Sequence, residues 1–170
     1  MQLPKREDTQ DINDLLSKLV ERSKAITALL ISREGVCISK AGNIETLNST
    51  ALAALVAGMF AATREVANIV GEEQFSILLQ QGEKRHIHIS LIGQRNMMIV
   101  VFEDYRRIGL IRHEARSISH DLVRILEQRK LSRKEDSGDI SVPEFREYAL
   151  NLIDRIFVVG EEEDASSGSD

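Results

Sequence analysis

Apolar side chains recur at helical spacing in two stretches of the chain. After Asp11, a residue type that caps helices, the apolar positions are Ile12, Leu15, Leu16, Leu19 and Val20. From about Tyr105 to Lys130 a second stripe consists of Ile108, Ile111, Ala115, Ile118, Leu122 and Ile125. Both stretches therefore predict amphipathic helices, each of which buries one side.

Short apolar runs bounded by turn residues lie between these two helices. The runs from about Ala25 to Ser32 and from Val36 to Lys40 flank a turn with a glycine and predict a β-hairpin. Three later runs have short connections and predict an antiparallel meander: Phe75 to Leu79, Arg85 to Ile92 and Met97 to Phe102. With a helix between hairpin and meander, the order is α-β-β-α-β-β-β-α, which indicates an α+β domain with helices covering one sheet.

The helix between hairpin and meander is apolar on nearly every side. Residues 49–66 read STALAALVAGMFAATREV, and the twelve residues 51–62 carry neither charge nor hydroxyl. We expect Asn48, Ser49 or Thr50 to cap the helix and Gly71 to end it. A helical projection assigns two stripes, a sheet-facing one of Leu52, Leu55, Met59, Ala62 and Val66 and an outer one of Ala51, Ala54, Gly58 and Ala61.

An outer stripe of small apolar residues favours contact between two helices. Monomers rarely expose such a patch, and small side chains allow a second backbone to approach closely. We therefore predict a homodimer formed through this helix. The alternative is a helix wholly buried inside its own domain.

The C-terminal part of the chain has a different composition. We expect the domain to cover residues 8–130 and a charged linker to cover 131–140. Residues 141–158 begin with a capping-box pattern and predict an amphipathic helix, whereas the acidic residues 159–170 are typical of disorder. The helix either docks in a partner's groove or folds back onto its own domain, and its apolar face contains Phe145, Leu152, Ile153, Ile156 and Phe157.

Charge and cysteine content narrow the classes of partner. The chain has 170 residues and a formal net charge of −5, which disfavours nucleic acid as a partner. Its single cysteine, Cys37, excludes an internal disulfide and fits a reducing compartment. The N-terminal residues lack the apolar core of a signal peptide, and no uninterrupted apolar run reaches the length of a membrane span. We therefore expect a cytoplasmic protein with no membrane insertion.

Residues capable of chemistry are few and scattered. His86 and His88 share one face of a predicted strand, but no nearby ligand completes a metal site, so we expect neither a metal nor another cofactor. We interpret them as alternating with buried Ile87 and Ile89 on a half-exposed strand. His113 and His120 lie among arginines, and Cys37 is interpreted as a packed apolar residue. Phosphate-binding, dinucleotide-binding and nucleophile-elbow motifs do not occur, so the sequence predicts no catalytic site of its own.

The last helix of the domain has a basic side. It could be a solvated face balanced by Glu103, Asp104, Glu114 and Asp121, or it could meet an acidic partner or a membrane surface. Its basic residues are Arg106, Arg107, Arg112, Arg116, Arg124, Arg129 and Lys130.

Three segments together resemble the Roadblock family (dynein light chain Roadblock), and more narrowly its MglB-like bacterial members. ALLISREGVCISKAG resembles the family's hairpin, and STALAALVAGMFAA resembles its second helix. IVGEEQFSILLQQGEKRHIHISLIGQRNMMIVVFEDYRRIGLIR resembles the strands that follow and the start of the last helix. The resemblance spans about Asp11 to Glu127 and implies a five-stranded antiparallel sheet with one helix on the dimer side and two on the other.

The resemblance implies regulation of a Ras-like, MglA-like small GTPase in bacterial polarity or motility. It also implies that the protein could be located at a cell pole. Members similar to MglB act as dimeric GTPase-activating proteins that reorganise the catalytic groups of the GTPase and supply no arginine finger. Their C-terminal helix docks elsewhere on the GTPase and assists nucleotide exchange, a role that residues 151–157 resemble. The alternative is a Roadblock-type dimeric scaffold that changes no reaction rate.

The resemblance also implies which residues form the interface with the second subunit or the GTPase. Arg64 and Glu65 depart from the family pattern, which has small residues there. We expect an ion pair of Arg64 with Glu65 or Glu72, and the alternative is that Arg64 reaches toward a nucleotide. The residues assigned to the interface are Ala51, Ala54, Leu55, Gly58, Ala61, Ala62, Arg64 and Glu65.

Overall fold

The computed structural model describes residues 6–43, 45 and 47–136, which contain three α-helices, one 3₁₀ turn and five strands. The helices are α1 (Arg6–Ser23), α2 (Ser49–Ile69) and α3 (Ile108–Asp136), and the 3₁₀ turn Tyr105–Arg107 precedes α3. The strands are β1 (Thr27–Ser32), β2 (Cys37–Gly42), β3 (Ile77–Gln81), β4 (His86–Ile92) and β5 (Asn96–Phe102). The predicted element order is confirmed.

The five strands form one antiparallel sheet in the order β2-β1-β5-β4-β3. The β1–β2 hairpin and the β3–β4–β5 meander are joined where β1 pairs with β5, from Thr27 opposite Val101 to Ser32 opposite Asn96. This pairing leaves β2 and β3 at the edges of the sheet, and the antiparallel pairing of strands adjacent in sequence is as predicted.

Alternate residues of the central strands feed two separate cores. On one side of the sheet, α1 and α3 bury their predicted stripes against Leu30, Met98, Val100 and Phe102. On the other side, α2 packs against Leu29, Ile31, Ile89, Met97, Ile99 and Val101. The central strands are therefore buried on both faces, which explains why they read as continuous apolar runs.

The turn of the first hairpin approaches the backbone of α2. Gly35 has φ +84°, a conformation that favours glycine, and a Cβ built there would lie 2.8 Å from Ala54 Cα. The same Cβ would lie 3.3 Å from Ala57 Cβ. Glycine is thus required twice at this position, once by the backbone conformation and once by the close packing on α2.

Both ends of α2 match the sequence signals. The Asn48 side chain accepts a hydrogen bond from the Ala51 backbone N–H at 3.0 Å, which caps the first turn. Gly71 follows the helix with φ +85°, and the Glu72 N–H donates to the Ala67 carbonyl at 2.9 Å. These contacts satisfy backbone groups that a helix end leaves unpaired.

The last helix is longer than the sequence analysis predicts. Helix α3 continues to Asp136, six residues into the segment 131–140 that was expected to be a linker. Lys, Arg, Glu and Leu in this segment are good helix formers, so a charged composition alone does not end a helix. A first compact unit ends at Arg129 and a second begins at Lys130. The predicted C-terminal helix and acidic tail lie outside the described residues.

Candidate functional site

Helix α2 contacts the sheet through a narrow stripe of its surface. Its buried residues are Ala53, Val56, Ala57, Phe60 and Ala67. Leu52 and Met59 are partly buried at the borders of this stripe and pack against the same core. The two bulky side chains in the stripe, Val56 and Phe60, alternate with alanines that allow the Gly35 turn and the sheet to come close.

The opposite side of α2 is both apolar and exposed. Leu55 is 73% exposed, Val66 53% and Ile69 85%. All eight residues assigned to the interface are exposed: Ala51, Ala54, Leu55, Gly58, Ala61, Ala62, Arg64 and Glu65. We call the exposed apolar residues on this side of the helix the α2 surface, and they are Ala51, Ala54, Leu55, Gly58, Ala61, Ala62, Val66 and Ile69. Monomeric proteins rarely expose a contiguous apolar surface of this kind.

The expected division of α2 into two stripes is wrong for three residues. Leu55, Ala62 and Val66 were expected to face the sheet, but they lie on the α2 surface. The helix is rotated because the Gly35 turn packs against Ala53, Ala54 and Ala57, where large side chains would not fit. Side-chain size along the helix therefore does not indicate the core side, since close backbone packing places small residues inward.

The predicted ion pair of Arg64 does not form. Both Glu65 and Glu72 belong to the described part of the chain, yet neither is paired with Arg64. Adjacent helix positions point in different directions, which explains the absence of a pair between Arg64 and Glu65. Arg64 is exposed on α2 and adds a positive charge beside the apolar surface.

The sheet edge that lies next to α2 was not predicted from the sequence. Strand β3 pairs only with β4, so its outer row of backbone groups has no strand partner within residues 6–43, 45 and 47–136. Leu78 of β3 packs with the core beneath α2, and the Gln80 side-chain amide donates to Met59 Sδ at 2.8 Å. The polar sequence QQGEK, which begins in the last two residues of β3, gave no sign that this edge would adjoin the helix.

Helix α2 is also long and apolar enough to cross a membrane, judged by length and composition alone. However, its buried stripe is part of a sheet-packed core, and its last turns contain Arg64 and Glu65. These features are typical of a helix that packs on the sheet of a folded domain.

The two histidines of β4 are more buried than expected. His86 and His88 face the α1 and α3 side of the sheet and are almost completely covered, instead of lying on a half-exposed strand. His86 Nε2 lies 3.1 Å from the Glu103 carbonyl oxygen, and its ring contacts Phe102 and Tyr105. Burial, with a smaller contribution from the Arg112 charge, lowers the pKa of His88 to about 4. His88 is therefore neutral at physiological pH.

The remaining candidate residues have ordinary surroundings. Cys37 is half-buried at the start of β2, and burial raises the pKa of its thiol, which disfavours the reactive thiolate. His113 and His120 are both exposed on α3. Among the described residues, no three His, Cys, Asp or Glu side chains are grouped so that they could hold a metal ion.

The basic side of α3 is balanced by acidic residues only in part. Arg106 and Arg107 pair with Asp104, and Arg124 pairs with Asp121 at 2.8 Å. Arg112 and Arg116 form no ion pair with any residue that the structure describes. The expected solvated, balanced face therefore fits the 3₁₀ turn before α3 and the middle of the helix around Arg124, but not its N-terminal part at Arg112 and Arg116.

Comparison with protein families decides the classification. A model of the Roadblock/LC7 domain matches residues 11–102, more than half of the chain. The chain belongs to the Roadblock/LC7 family. The matched region contains the whole sheet, α2 and most of α1, so it includes the α2 surface and the β3 edge.

Solved structures of MglB are similar to this Roadblock/LC7 chain. Myxococcus xanthus MglB is 28% identical with a TM-score of 0.71, and the match covers 76% of this chain and 96% of that chain. MglB from Thermus thermophilus, a gliding protein, is 27% identical with a TM-score of 0.67, over 71% of this chain and 92% of that chain. A structure described as MglB with tetrameric arrangement is 25% identical with a TM-score of 0.69, and the match covers 72% of this chain and 92% of that chain. No curated protein sequence matches this chain.

Proposed function

We propose that this protein is a cytoplasmic regulator of a Ras-like, MglA-like small GTPase and acts as a homodimeric GTPase-activating protein. The observation that carries the proposal is the α2 surface, an exposed apolar helix side on a chain similar to MglB. Neither part would be sufficient alone, because exposed apolar surfaces occur at many kinds of interface.

The α2 surface supports self-association in particular. Gly58 has no heavy atom within 4 Å of a built Cβ, and Ala54 and Ala61 on the same side are also small, so a second helix can approach closely. The β3 edge lies beside this surface and offers unpaired backbone groups to a second copy. The tetrameric arrangement described for one similar MglB structure is consistent with association between copies.

A regulator of this kind needs no catalytic residues of its own. A dimer that holds the GTPase switch segments in the hydrolytic arrangement lowers the barrier by positioning groups that the GTPase already carries. We propose that Ala61, Arg64 and Glu65 border the GTPase contact. The segment 151–157 is proposed as an accessory element that docks on the GTPase and promotes nucleotide exchange.

The test is GTP hydrolysis by the Ras-like small GTPase encoded in the same genome, measured with and without about two chains of this protein per GTPase. We expect faster single-turnover hydrolysis and a loss of that acceleration in Ala61→Arg. A matched variant, Ser17→Arg, adds the same charge to an exposed position of α1 and should accelerate as well as the unmodified protein.

Binding of the GTPase without acceleration would contradict the activating role and indicate a Roadblock-type scaffold. Arg64 and Glu65 would then be the first residues to change, because they add charge to a surface that is otherwise apolar. If the protein neither binds the GTPase nor accelerates hydrolysis, that result contradicts the proposal of GTPase regulation altogether.

The accessory role of the C-terminal segment has a separate test. Deletion of residues 141–170 should leave the dimer and the acceleration of hydrolysis intact but slow nucleotide exchange on the GTPase. Loss of the dimer in this variant would instead assign the segment a structural role.

A further inference from the structure

A cavity of about 530 Å³ lies between strands β3 and β4 and helix α3, on the side of the sheet opposite α2. Its floor includes His88, Ser90 and Ala115, and its rim includes Arg112, Arg116 and the exposed Ser76. The volume falls within the range of about 300 to 1,000 Å³ that is typical of small-molecule sites. The cavity forms because α3 extends over β4 and leaves β3 uncovered, so that Ile77 and Leu79 are exposed on this side.

Two polar atoms at the floor of the cavity lack hydrogen-bond partners. His88, which is 1% exposed, has an unpaired Nδ1, and Ser90 has an unpaired Oγ, among the residues that the structure describes. Both side chains project from the same face of β4, since they are two residues apart in a strand. Buried polar groups nearly always have partners, and an unpaired one is costly, so these two atoms favour a polar occupant of the cavity floor, either water or a polar group of a ligand.

The charge around the cavity is positive. Among the residues that the structure describes, its lining contains Arg112, Arg116 and His113 and no Asp or Glu. The two guanidinium groups are one helical turn apart on α3 and have no acidic partner in the described ranges 6–43, 45 and 47–136. Paired arginines of this kind are suited to an oxyanion, because each guanidinium can donate two parallel hydrogen bonds.

We propose that this cavity binds a small molecule through an oxyanion group, phosphate or carboxylate. Arg112 and Arg116 neutralise its charge, the Ser76 and Ser90 hydroxyls donate hydrogen bonds, and neutral His88 donates from a ring nitrogen. The Ser119 hydroxyl, which also lines the cavity, already donates to the Arg116 carbonyl at 2.8 Å and is not assigned a donor role. The site is separate from the α2 surface and does not depend on the proposed GTPase regulation.

Solvated arginines alone would not justify this assignment, since exposed basic residues are common on helices. The arrangement differs from a solvated face in two respects. Arginines elsewhere on α3, such as Arg124, are paired with a neighbouring carboxylate, whereas Arg112 and Arg116 are not. Arg112 and Arg116 also border a cavity whose floor contains the two unsatisfied polar atoms described above.

Isothermal titration calorimetry of the full chain with pyrophosphate and, separately, with citrate tests the proposal. We expect saturable binding of at least one anion with a Kd below about 1 mM. The anion that binds identifies the group, phosphate or carboxylate. The double variant Arg112→Gln, Arg116→Gln should weaken this binding at least tenfold, because both charge-assisted contacts are lost.

A matched control separates the cavity from general charge effects. Arg95→Gln, Arg124→Gln removes two exposed positive charges that do not line the cavity and should bind the anion as the unmodified protein does. Absence of saturable binding to either anion would overturn the proposal. Equal weakening in the control, or unchanged binding in the Arg112, Arg116 double variant, would overturn it as well.

A third variant tests the floor of the cavity. Ser90→Ala removes a hydroxyl that has no partner in the free protein, so it should leave the thermal midpoint unchanged or slightly raised. The same variant should weaken anion binding by about threefold to tenfold if the hydroxyl donates to the ligand. Unchanged anion affinity in Ser90→Ala would contradict the role assigned to this hydroxyl.

Discussion

The two sides of one sheet are covered in different ways. Helices α1 and α3 bury apolar stripes and present polar and charged residues to solvent, whereas α2 buries one stripe and presents a second apolar side. The first side leaves β3 uncovered next to a cavity, with Ile77 and Leu79 exposed. The second leaves Leu55, Val66 and Ile69 exposed. The comparison teaches that amphipathicity identifies the helices that are covered within the domain, while its absence identifies the helix that leaves an apolar side exposed.

The largest difference in stability between the two sides should appear when a leucine on each side is truncated to alanine. Leu19→Ala, on the α1 side, removes a fully buried side chain and should lower the free energy of unfolding by about 2 to 5 kcal/mol. Leu55→Ala, on the α2 surface, should change the unfolding of the isolated subunit by less than about 0.5 kcal/mol and should weaken self-association. Chemical denaturation at several protein concentrations measures both. Equal destabilisation by the two variants would contradict the distinction.

On the α1 and α3 side, the buried His88 makes the free energy of unfolding depend on pH. The pKa of His88 is about 4 in the folded protein, against an ordinary value of 6.5, so between these values only the unfolded chain binds the proton. The contribution of neutral His88 to the free energy of unfolding should therefore be fully present above about pH 6.5. It should be lost as the pH falls toward 4, which lowers the free energy of unfolding by up to about 3 kcal/mol.

Denaturation curves across this pH range, compared between the unmodified protein and His88→Gln, measure that contribution. The variant should show a smaller decrease in stability between pH 6.5 and 4. The matched variant His113→Gln, at an exposed position, should keep the full decrease. The account of His88 would be wrong if all three proteins lost stability in parallel.

The hairpin turn that orients α2 should also be sensitive to substitution. Gly35→Ala combines a positive φ with a contact of 2.8 Å to Ala54 Cα and should cost roughly 2 to 3 kcal/mol. Gly71→Ala has a similar φ but no atom within 4 Å, so it should cost only about 1 kcal/mol. Thermal unfolding of both variants isolates the contact from the backbone conformation. A cost for Gly35→Ala no larger than that for Gly71→Ala would show that close packing of the turn does not matter.

The smallest predicted effect concerns the middle of α2. Gly58→Ala should strengthen the helix by about 0.5 to 1 kcal/mol, since a Cβ at this position meets no atom within 4 Å. If a second helix packs closely there, the same methyl group should weaken self-association. Higher stability of the subunit combined with weaker association is the expected pair of results, and unchanged association would exclude Gly58 from the contact.

The sequence predicted the elements well because their signals are local. The stripes of α1 and α3, the Asn48 cap and the Gly71 end depend on neighbouring residues only, and the antiparallel order follows from short turns. The rotation of α2 was not predictable in this way. It depends on where the Gly35 turn meets the helix, a contact between residues that are distant in sequence.

The candidate sites were predicted unevenly for the same reason. Residues 51–62 identified the exposed helix because twelve apolar residues cannot all face one sheet. The β3 edge and the cavity beside α3 were missed, since each is built from segments that only the sheet order brings together. The histidines of β4 drew attention through their spacing, but their burial depends on how α1 and α3 cover that strand.

The mass of the protein in solution, with and without Ala61→Arg, tests most directly whether the α2 surface is an interface. Sedimentation equilibrium should give a dimer or larger assembly for the unmodified chain and for Ser17→Arg, and a monomer of 19.1 kDa with intact secondary structure for Ala61→Arg. The charge should disrupt association because it would be buried without a partner at a close helix contact. A monomeric unmodified protein, or an unchanged assembly in Ala61→Arg, would contradict the account.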